Sequence, residues 1–367
     1  MNKVLLTVSG RIDPAVHEQI RRGERPRTDY VAMAEAFGAD LLDFQQAEQE
    51  SSWFGRLLGR LSLNLMLAWA CFRRRRQYEV LFSDGEQVGL PLALMLRFLN
   101  FGKRPQHLMI VHILSVGKKM LVMDWLKPYK AIDLFLPYAT WQKQFIESRW
   151  GVPPDRVAFT HFMVDADFFS QAAIPAEKSL PEIWAIEKPV LCSVGLEFRD
   201  YPTLMKAVAG LDCEVIIAAA SPWSKRDDST AGQDIPANVT VRRFTQYELR
   251  ELYAVSRFVI MPLYNVNFQA GITTILEAMA MEKAIICSRT PGQTDVIQAG
   301  ETGLYVTPED PVMLRGAIEQ LLQNPAEARA MGQAGRSLLE QEMSLTKYVE
   351  RLNCHVQQAR KQFHSSK

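Results

Sequence analysis

The residue types best suited to chemistry lie in a short loop around Gly271 and in the helix predicted to follow it. The first turn of a helix has backbone N–H groups without partners, at the positive end of the helix dipole. Such a terminus binds phosphate or pyrophosphate. We therefore predict a backbone cradle for a diphosphate at Ala270, Gly271, Ile272, Thr273 and Thr274. A simpler interpretation, compatible with the first, is an ordinary cap in which Thr273 or Thr274 satisfies the first turn.

A carboxylate, Glu277, follows Gly271 by fewer than two helical turns. An ionised glutamate only accepts hydrogen bonds, which suits the paired hydroxyl groups of a ribose. We predict that Glu277 binds the ribose of a nucleotide. The alternative is an exposed glutamate that is favoured near the helix start by the dipole.

Strand-like and helix-like segments alternate on both sides of this loop. In the first half, strands are predicted at residues 3–9, 40–44, 78–83, 107–113 and 131–137. In the second half, they are predicted at residues 189–194, 214–220, 239–243, 258–262 and 284–288. Strands separated by helix-length segments form parallel sheets through right-handed crossovers. Ligands of such sheets bind beyond the carboxyl ends of the strands.

One segment, residues 173–188, interrupts this alternation. It contains Pro175 and Pro181, has mixed charges and shows no sustained period. We predict an interdomain linker there, between a first α/β domain over residues 1–172 and a second over residues 189–344.

The composition excludes several classes of protein. The chain has 367 residues, enough for two domains, and is 48% hydrophobic and 23% charged. A net charge of +1 gives no support to nucleic-acid binding. The five cysteines form no C-x-x-C pair and the six histidines have no ligand spacing, so we expect reduced thiols, no metal site and a cytoplasmic protein. The N-terminus has no cleavage site, and no apolar segment is long enough to span a bilayer.

Several motifs occur together in a fixed order along the chain. They are the segments 159–169, 191–195, 199–204 and 244–249, Met261-Pro262, and Gln269 to Glu277 followed by Ala-Met-Ala. Together they resemble the nucleotide-sugar site of retaining family-4 glycosyltransferases, whose motif is Glu, seven residues, Glu. The resemblance implies an α/β GT-B fold, in which two Rossmann-like doubly wound domains face a central cleft. It also implies that the donor binds mainly to the second domain and that a terminal helix, residues 345–367, completes the first.

The resemblance extends to individual candidate residues. Arg199 would neutralise the leaving diphosphate, and His112 would approach the donor sugar at the end of a strand. Gly10, in the turn after the first strand, would face the sugar-phosphate, with Arg11 and Asp13 on the acceptor side. The alternatives are a surface salt bridge for Arg199, a structural histidine, and a simple loop at residues 10–13.

Three residues depart from the family pattern. Gln269 occupies the position of the first glutamate, so we keep it as a catalytic candidate beside the alternative of a polar loop residue. Leu196 stands where a second cation is often found. Glu282 replaces the glycine that normally ends the helix.

A long helix is predicted over residues 53–72, with Arg56, Arg60 and Asn64 in one polar stripe, followed by four arginines at 73–76. A basic amphipathic helix of this kind can lie on an anionic membrane, here the inner face. The alternative is a core helix with a solvated basic end.

The function predicted from these observations is a retaining, metal-independent hexosyltransferase that needs no cofactor. Its co-substrate would be a nucleoside diphosphate sugar, with a UDP-sugar favoured over a GDP-sugar. Its acceptor would be a hydroxyl group of a glycan, a lipid-linked molecule or a small molecule. A second hypothesis is a weakly active or inactive GT-B scaffold that binds a nucleotide sugar or a partner enzyme. A dinucleotide-dependent oxidoreductase ranks far lower, because no G-x-G-x-x-G follows a strand.

Overall fold

The computed structural model describes residues 2–219 and 234–365. The chain divides into two compact units. The first consists of Met1–Glu18, Arg27–Thr160 and Tyr348–Lys367, and the second of Gln19–Pro26 and His161–Lys347.

Most of the first unit is an open sheet with helices. Its strands in the described residues are β1 (Val4–Thr7), β2 (Ala39–Leu42), β3 (Val80–Ser83), β4 (Gln106–Val111) and β5 (Leu134–Pro137). The helices of this part of the chain are α1 (Val16–Arg21), α2 (Asp29–Phe37), α3 (Phe44–Glu50), α4 (Trp53–Leu61), α5 (Leu63–Arg74), α6 (Glu86–Phe98), α7 (Gly117–Leu126) and α8 (Thr140–Trp150). The strands pair in parallel in the order β2-β1-β3-β4-β5. All residues of β1 and β3 are buried, as expected for a parallel sheet covered on both faces.

The second unit has a larger sheet. Its strands in the described residues are β6 (Val190–Val194), β7 (Glu214–Ala218), β8 (Val239–Arg242), β9 (Ser256–Met261), β10 (Ala284–Ser288) and β11 (Gly303–Val306). Its helices are α9 (Pro181–Trp184), α10 (Tyr201–Val208), α11 (Gln246–Val255), α12 (Ile272–Ala280), α13 (Pro311–Gln323) and α14 (Pro325–Glu342), and α15 (Leu345–Ser365) ends the chain. The strands pair in parallel in the order β11-β10-β9-β6-β7-β8.

Each sheet reverses its winding direction at one point. In the second unit the reversal lies between β6 and β9, and the order is that of the doubly wound dinucleotide-binding sheets. In the first unit it lies between β1 and β3. The loops at the carboxyl ends of these four strands are therefore where a ligand is expected.

The terminal helix α15 belongs to the first unit from Tyr348 onward. The hydroxyl groups of Tyr138 and Tyr348 lie 2.7 Å apart in a buried position. Further along the helix, Arg360 Nε donates to Glu79 Oε2 at 2.9 Å. These contacts hold the helix on the sheet of the first unit.

The prediction of one helix over residues 53–72 is wrong, because the chain breaks at Ser62. This residue is extended, with φ −166° and ψ 130°. The helix α4 packs against α5 through a glycine of α4. A Cβ on Gly59 would lie 3.0 Å from Met66 Sδ on α5. Asn64 lies beyond the break, so the predicted stripe with Arg56 and Arg60 is not continuous.

Other differences are smaller. The pattern missed α1, α3, α7 and β11, and the segment 173–188 contains the short helix α9 within the second unit. The predicted strand 214–220 ends at Ala218, and residue 220 lies outside the described residues. The helix α13 begins after Asp310, whose side chain accepts from two backbone N–H groups of the first turn. Among the described residues, no helix is long and apolar enough to cross a membrane.

Candidate active site

The first feature of the site is the start of α12, which follows the loop after β9. Gly271 caps this helix in the left-handed conformation, with φ 73°, and no side chain in the described chain caps it. Thr273 is exposed, and the Thr274 hydroxyl donates to the Val194 carbonyl oxygen at 3.4 Å. The interpretation as a threonine-capped helix is therefore wrong, and no side chain among residues 2–219 and 234–365 caps the N–H groups of the first turn.

The second feature is a buried cation beside this terminus. Arg199 Nε donates to the Val194 carbonyl at 3.0 Å, and Nη1 donates to the Glu197 carbonyl at 2.8 Å. A Cβ on Gly195 would lie 2.4 Å from Arg199 Nη2, and one on Gly271 would lie 3.1 Å from both Nη atoms. The guanidinium thus lies between two glycine loops, and burial lowers its pKa. The alternative of a surface salt bridge is wrong, because only 5% of the residue is exposed.

A helix start and a cation side by side repel each other unless an anion lies between or near them. The arrangement of Arg199 and Gly271 is therefore electropositive, at the carboxyl ends of β6 and β9. It is suited to a ligand with concentrated negative charge, such as a diphosphate.

The loop that presents Arg199 is strained at the preceding residue. Phe198 has φ 59°, in the left-handed region that disfavours an aromatic residue. Its ring meets Phe268 edge to face at 4.9 Å. This contact joins the arginine loop to the loop before α12, and a strained residue at such a place is typical of a functional site.

The carboxylate of Glu277 is buried, contrary to the alternative of an exposed glutamate. Tyr253 donates its hydroxyl hydrogen to Glu277 Oε2 at 2.7 Å. Burial raises the pKa of Glu277 to about 7, although the hydrogen bond from Tyr253 opposes this. Tyr253 was not predicted from the sequence, since it lies 24 residues earlier on another helix.

Both polar atoms of the Gln269 side-chain amide are buried and have no hydrogen-bond partner among the described residues. Buried polar groups are rarely left in this state unless a ligand, ion or water satisfies them. Gln269 therefore presents a donor and an acceptor for an additional partner.

The loop after β10 fixes the position of the loop that precedes α12. Gln293 is almost fully buried, and its Nε2 donates to the Ala270 carbonyl at 2.7 Å. A Cβ on Gly292 would lie 2.2 Å from the backbone carbon of Phe268, so only glycine fits there. Sequence reasoning missed Gln293; the Pro-Gly turn directly before it was the available signal.

The structure accounts for two residues that depart from the family pattern, Leu196 and Glu282. Leu196 packs against the hydrophobic core of the second unit. Glu282 adopts φ 57° and donates its N–H to the Met279 carbonyl at 3.0 Å, while Lys283 N–H bonds the Ala278 carbonyl at 2.9 Å. Glu282 thus takes the left-handed position that glycine usually occupies at the end of a helix.

In the first unit, His112 follows β4 at the carboxyl edge of the sheet. Its backbone N–H and that of Ile113 bond the two carboxylate oxygens of Glu86, at 3.1 and 2.9 Å. Lys119 Nζ also bonds Glu86, at 2.6 Å. Burial raises the pKa of Glu86, but the charges of His112 and Lys119 and the hydrogen bond from Lys119 lower it overall. The exposed His112 ring contacts the Asp84 carbonyl at 3.2 Å through Nε2.

The residues after β1 are largely engaged in local structure. Arg11 Nη2 bonds Glu48 at 2.8 Å, and Asp13 Oδ1 accepts from the Ala15 N–H at 2.9 Å. The carbonyl of Gly10 accepts from the Phe44 N–H at 3.0 Å.

Asp43 holds this loop and was not predicted. It is buried, and its two oxygens accept from the N–H groups of Ile12 and Gln46 at 2.9 and 2.8 Å.

The structure therefore brings together Gln269, Gly271 and Arg199 in the second unit, with Glu277 further along the helix that Gly271 caps. Gly10 and His112 lie at the carboxyl edge of the first sheet. Within the described ranges, no group of three or more His, Cys, Asp or Glu residues could hold a metal ion.

Comparisons with known proteins cover this part of the chain. Residues 194–324, which contain Arg199, Gly271 and Glu277, match the family model of the glycosyl transferases group 1. The chain is 26% identical over 206 residues to the alpha-D-kanosaminyltransferase of Streptomyces kanamyceticus, covering 53% of this chain and 52% of that protein. The chain spans only 20% to 56% of the length of the curated relatives that it matches.

Solved structures extend the similarity to nearly the whole chain. A sucrose-phosphate synthase from Thermosynechococcus elongatus has a TM-score of 0.71 at 17% identity, over 99% of this chain and 100% of that one. Anabaena HepE in complex with UDP has a TM-score of 0.69 at 12% identity, over 98% and 100%. The two parallel sheets and these neighbours establish the GT-B glycosyltransferase fold, as predicted. Within this fold, the part that matches the group 1 family model is residues 194–324 of the second unit.

Proposed function

We propose that this protein is a retaining glycosyltransferase, similar to those of family 4. It would move a hexose from a nucleoside diphosphate sugar to a hydroxyl acceptor. The observation that carries the proposal is the buried guanidinium of Arg199 beside the uncapped N-terminus of α12, at the reversal point of the second sheet. A cation and a helix dipole at one point favour a diphosphate over a neutral ligand.

The surrounding residues fit the remaining parts of such a donor. The N–H groups of Gly271, Ile272, Thr273 and Thr274 would surround the diphosphate. Glu277 would accept from the ribose hydroxyl groups, which would favour its ionised form over the protonated form that burial favours. The unpartnered amide of Gln269 would bond the sugar. We favour a UDP-sugar, supported by Anabaena HepE structures with UDP and UDP-glucose.

The chemistry proposed for this site needs no enzymic nucleophile. The acceptor oxygen would bond to the anomeric carbon on the face from which the diphosphate departs. The bond from that carbon to the phosphate oxygen would break, and the acceptor proton would pass to a donor phosphate oxygen. Arg199 and the helix N–H groups would stabilise the charge on the leaving group, so we propose that no metal ion and no further cofactor are required.

The acceptor would bind to the first unit, where Gly10 would face the sugar-phosphate and His112 would approach the donor sugar. Arg11 and Asp13 are weaker candidates there because each is bonded to its own surroundings. The acceptor class includes glycans, small molecules and lipid-linked molecules. We also propose a cytoplasmic protein that contacts an anionic membrane at its inner face.

A second candidate function is a scaffold that binds a nucleotide sugar without efficient transfer. It is favoured by the uncharged Gln269 and by Leu196, which is packed into the core instead of supplying a cation. Gln269→Glu separates the two hypotheses. If the glutamine at position 269 has reduced activity, the variant should transfer or hydrolyse the donor faster than the parent. Its affinity for the donor should be similar.

The test of donor binding is a thermal-shift panel of UDP, GDP, ADP and dTDP, with and without EDTA. A nucleotide at about 100 times its Kd should stabilise the fold by about 2.7 kcal/mol. We expect a shift with UDP that EDTA does not remove. No shift with any nucleotide would contradict the donor site, and a shift that EDTA abolishes would contradict metal independence.

A further inference from the structure

The first unit has a surface where large apolar side chains are exposed at the ends of two helices. These side chains, which we call the amino-edge patch, are Phe98, Leu99, Phe101, Trp125 and Leu126. Phe101 is 77% exposed and Trp125 is 79% exposed. The helices α6 and α7 lead into β4 and β5, so their ends lie at the amino edge of the sheet. This edge is opposite the one that carries His112.

Hydrogen bonds join the parts of this patch into one surface. Arg97, at the end of α6, donates from Nη1 to the Lys127 carbonyl at 2.5 Å, directly after α7. Arg76, after α5, donates from Nη2 to the Phe101 carbonyl at 3.4 Å. The ends of α5, α6 and α7 therefore lie side by side, and the exposed aromatic rings belong to one region.

The patch is also positively charged. Arg76, Lys103, Lys127 and Lys130 are exposed around it, and Arg97 is half-buried within it. The acidic residue on the adjoining helix, Asp124, is already bonded to Arg149 at 2.6 Å and to the Trp150 indole at 2.7 Å. Asp124 therefore does not neutralise Lys127 and Lys130, which are available to an external anionic partner, whereas Lys103 lies 4.1 Å over the Phe363 ring.

We infer that the amino-edge patch is a docking surface for an anionic lipid membrane. Exposed Trp and Phe side chains insert at the level of the lipid headgroups, and nearby Lys and Arg are attracted to anionic lipids. The inference rests on the membrane contact included in the proposed function, but not on the transfer reaction.

This surface differs from the segment 53–76, which the sequence indicates as either a membrane-surface helix or a core helix. The outer face of α4 has Trp53, Leu57 and Leu61 exposed, but its cations are Arg56 and Arg60 alone. Of the following arginines, Arg73 is exposed, Arg74 bonds Glu50, and Arg75 bonds Asn100 at 2.7 Å. Because attraction to an anionic bilayer grows with each nearby cation, the amino-edge patch is the stronger candidate.

Two tryptophans of equal exposure provide a matched test. Trp125 is 79% exposed in the patch, and Trp53 is 78% exposed on α4. The full chain is sedimented with vesicles of phosphatidylcholine alone and of phosphatidylcholine and phosphatidylglycerol in equal parts. We expect the parent to bind only the anionic vesicles. Trp125→Ser should lower the partition coefficient roughly tenfold, while Trp53→Ser should change it by less than about twofold.

The charge contribution is tested with a double variant, Lys127→Gln and Lys130→Gln. It should weaken binding to the anionic vesicles at low salt and flatten its salt dependence. UDP affinity should remain unchanged in all these variants, which shows that they fold and separates failure of this inference from failure of the donor site.

Three outcomes would overturn the inference. One is a parent protein with no affinity for the anionic vesicles. Another is loss of binding in Trp53→Ser with normal binding in Trp125→Ser, which would assign the contact to α4. The third is a lipid-free dimer in sedimentation velocity that Trp125→Ser dissolves, which would make the patch an interface between two copies.

Discussion

Loops at the carboxyl edges of the two sheets have their backbone N–H groups satisfied in different ways. In the first unit, buried carboxylates of the protein itself accept the loop N–H groups: Asp43 binds those of Ile12 and Gln46, and Glu86 binds those of His112 and Ile113. In the second unit, the N–H groups at the start of α12, which follows β9, receive no side-chain cap from the described residues. We call the carboxylate-bonded loops of the first unit the closed site and the start of α12 the open site. A negatively charged ligand is expected at the open site.

The closed site should matter for stability and not for nucleotide binding. Glu86→Gln keeps the shape but removes the charge that pairs with Lys119, leaving a partly buried cation without its partner. We expect a loss of about 3 kcal/mol in the free energy of unfolding, measured by denaturant titration. UDP affinity should be unchanged; a large loss of affinity would mean that the two sites do not have separate roles.

The open site should depend on pH through Glu277. Its pKa is about 7 in the folded chain against an ordinary value of 4.5, so the folded state binds the extra proton between these two values. The free energy of unfolding should therefore fall as pH rises from 4.5 to 7, by about 3 kcal/mol in the absence of ligand. Glu277→Gln should lose this part of the pH dependence. An unchanged profile in the variant would show that Glu277 does not titrate as described.

Glycines at the two sites offer a paired test. Gly271→Ala puts a Cβ 2.7 Å from Met261 Sδ and 3.1 Å from the Arg199 guanidinium, at φ 73°. It should destabilise the fold by about 1–3 kcal/mol and weaken UDP binding at least tenfold. Gly10→Ala is the control, because its Cβ would meet no described atom within 4 Å. Equal effects of the two substitutions would contradict the contrast between the loops.

The smallest effect is expected at the other end of α12. Glu282 occupies a left-handed position, so Glu282→Gly should raise the free energy of unfolding by about 1 kcal/mol. Glu282→Ala, which keeps a Cβ, is the matched control and should not be stabilised. UDP affinity should not change, since the residue lies a full helix length from Gly271.

The fold could be predicted largely from local signals. Apolar runs and turn residues indicated the ten strands at 3–9 through 284–288, and the spacing of strands and helices indicated parallel sheets. The break at Ser62 could not be predicted, because the helical period of the sequence continues through it. The helix α7 was missed because Leu121 and Trp125 are exposed, so its pattern does not point to a core.

The site could be predicted only in part, for a different physical reason. Gly271, Glu277 and Arg199 lie in recognisable local motifs. The residues that fix them do not: Tyr253 bonds Glu277 across 24 positions, and Gln293 bonds Ala270 across 23. Such partners are chosen by the folded backbone, and a single sequence carries no local mark of them.

The central claim, that the second unit has an open diphosphate site, is tested most directly by calorimetry of UDP binding to Arg199→Met. The substitution keeps a long side chain between the glycine loops but removes the cation. Arg11→Met, which breaks an exposed salt bridge in the first unit, is the control. We predict that Kd rises roughly a hundredfold for Arg199→Met and stays the same for Arg11→Met. A folded Arg199→Met protein that binds UDP as tightly as the parent would contradict the account.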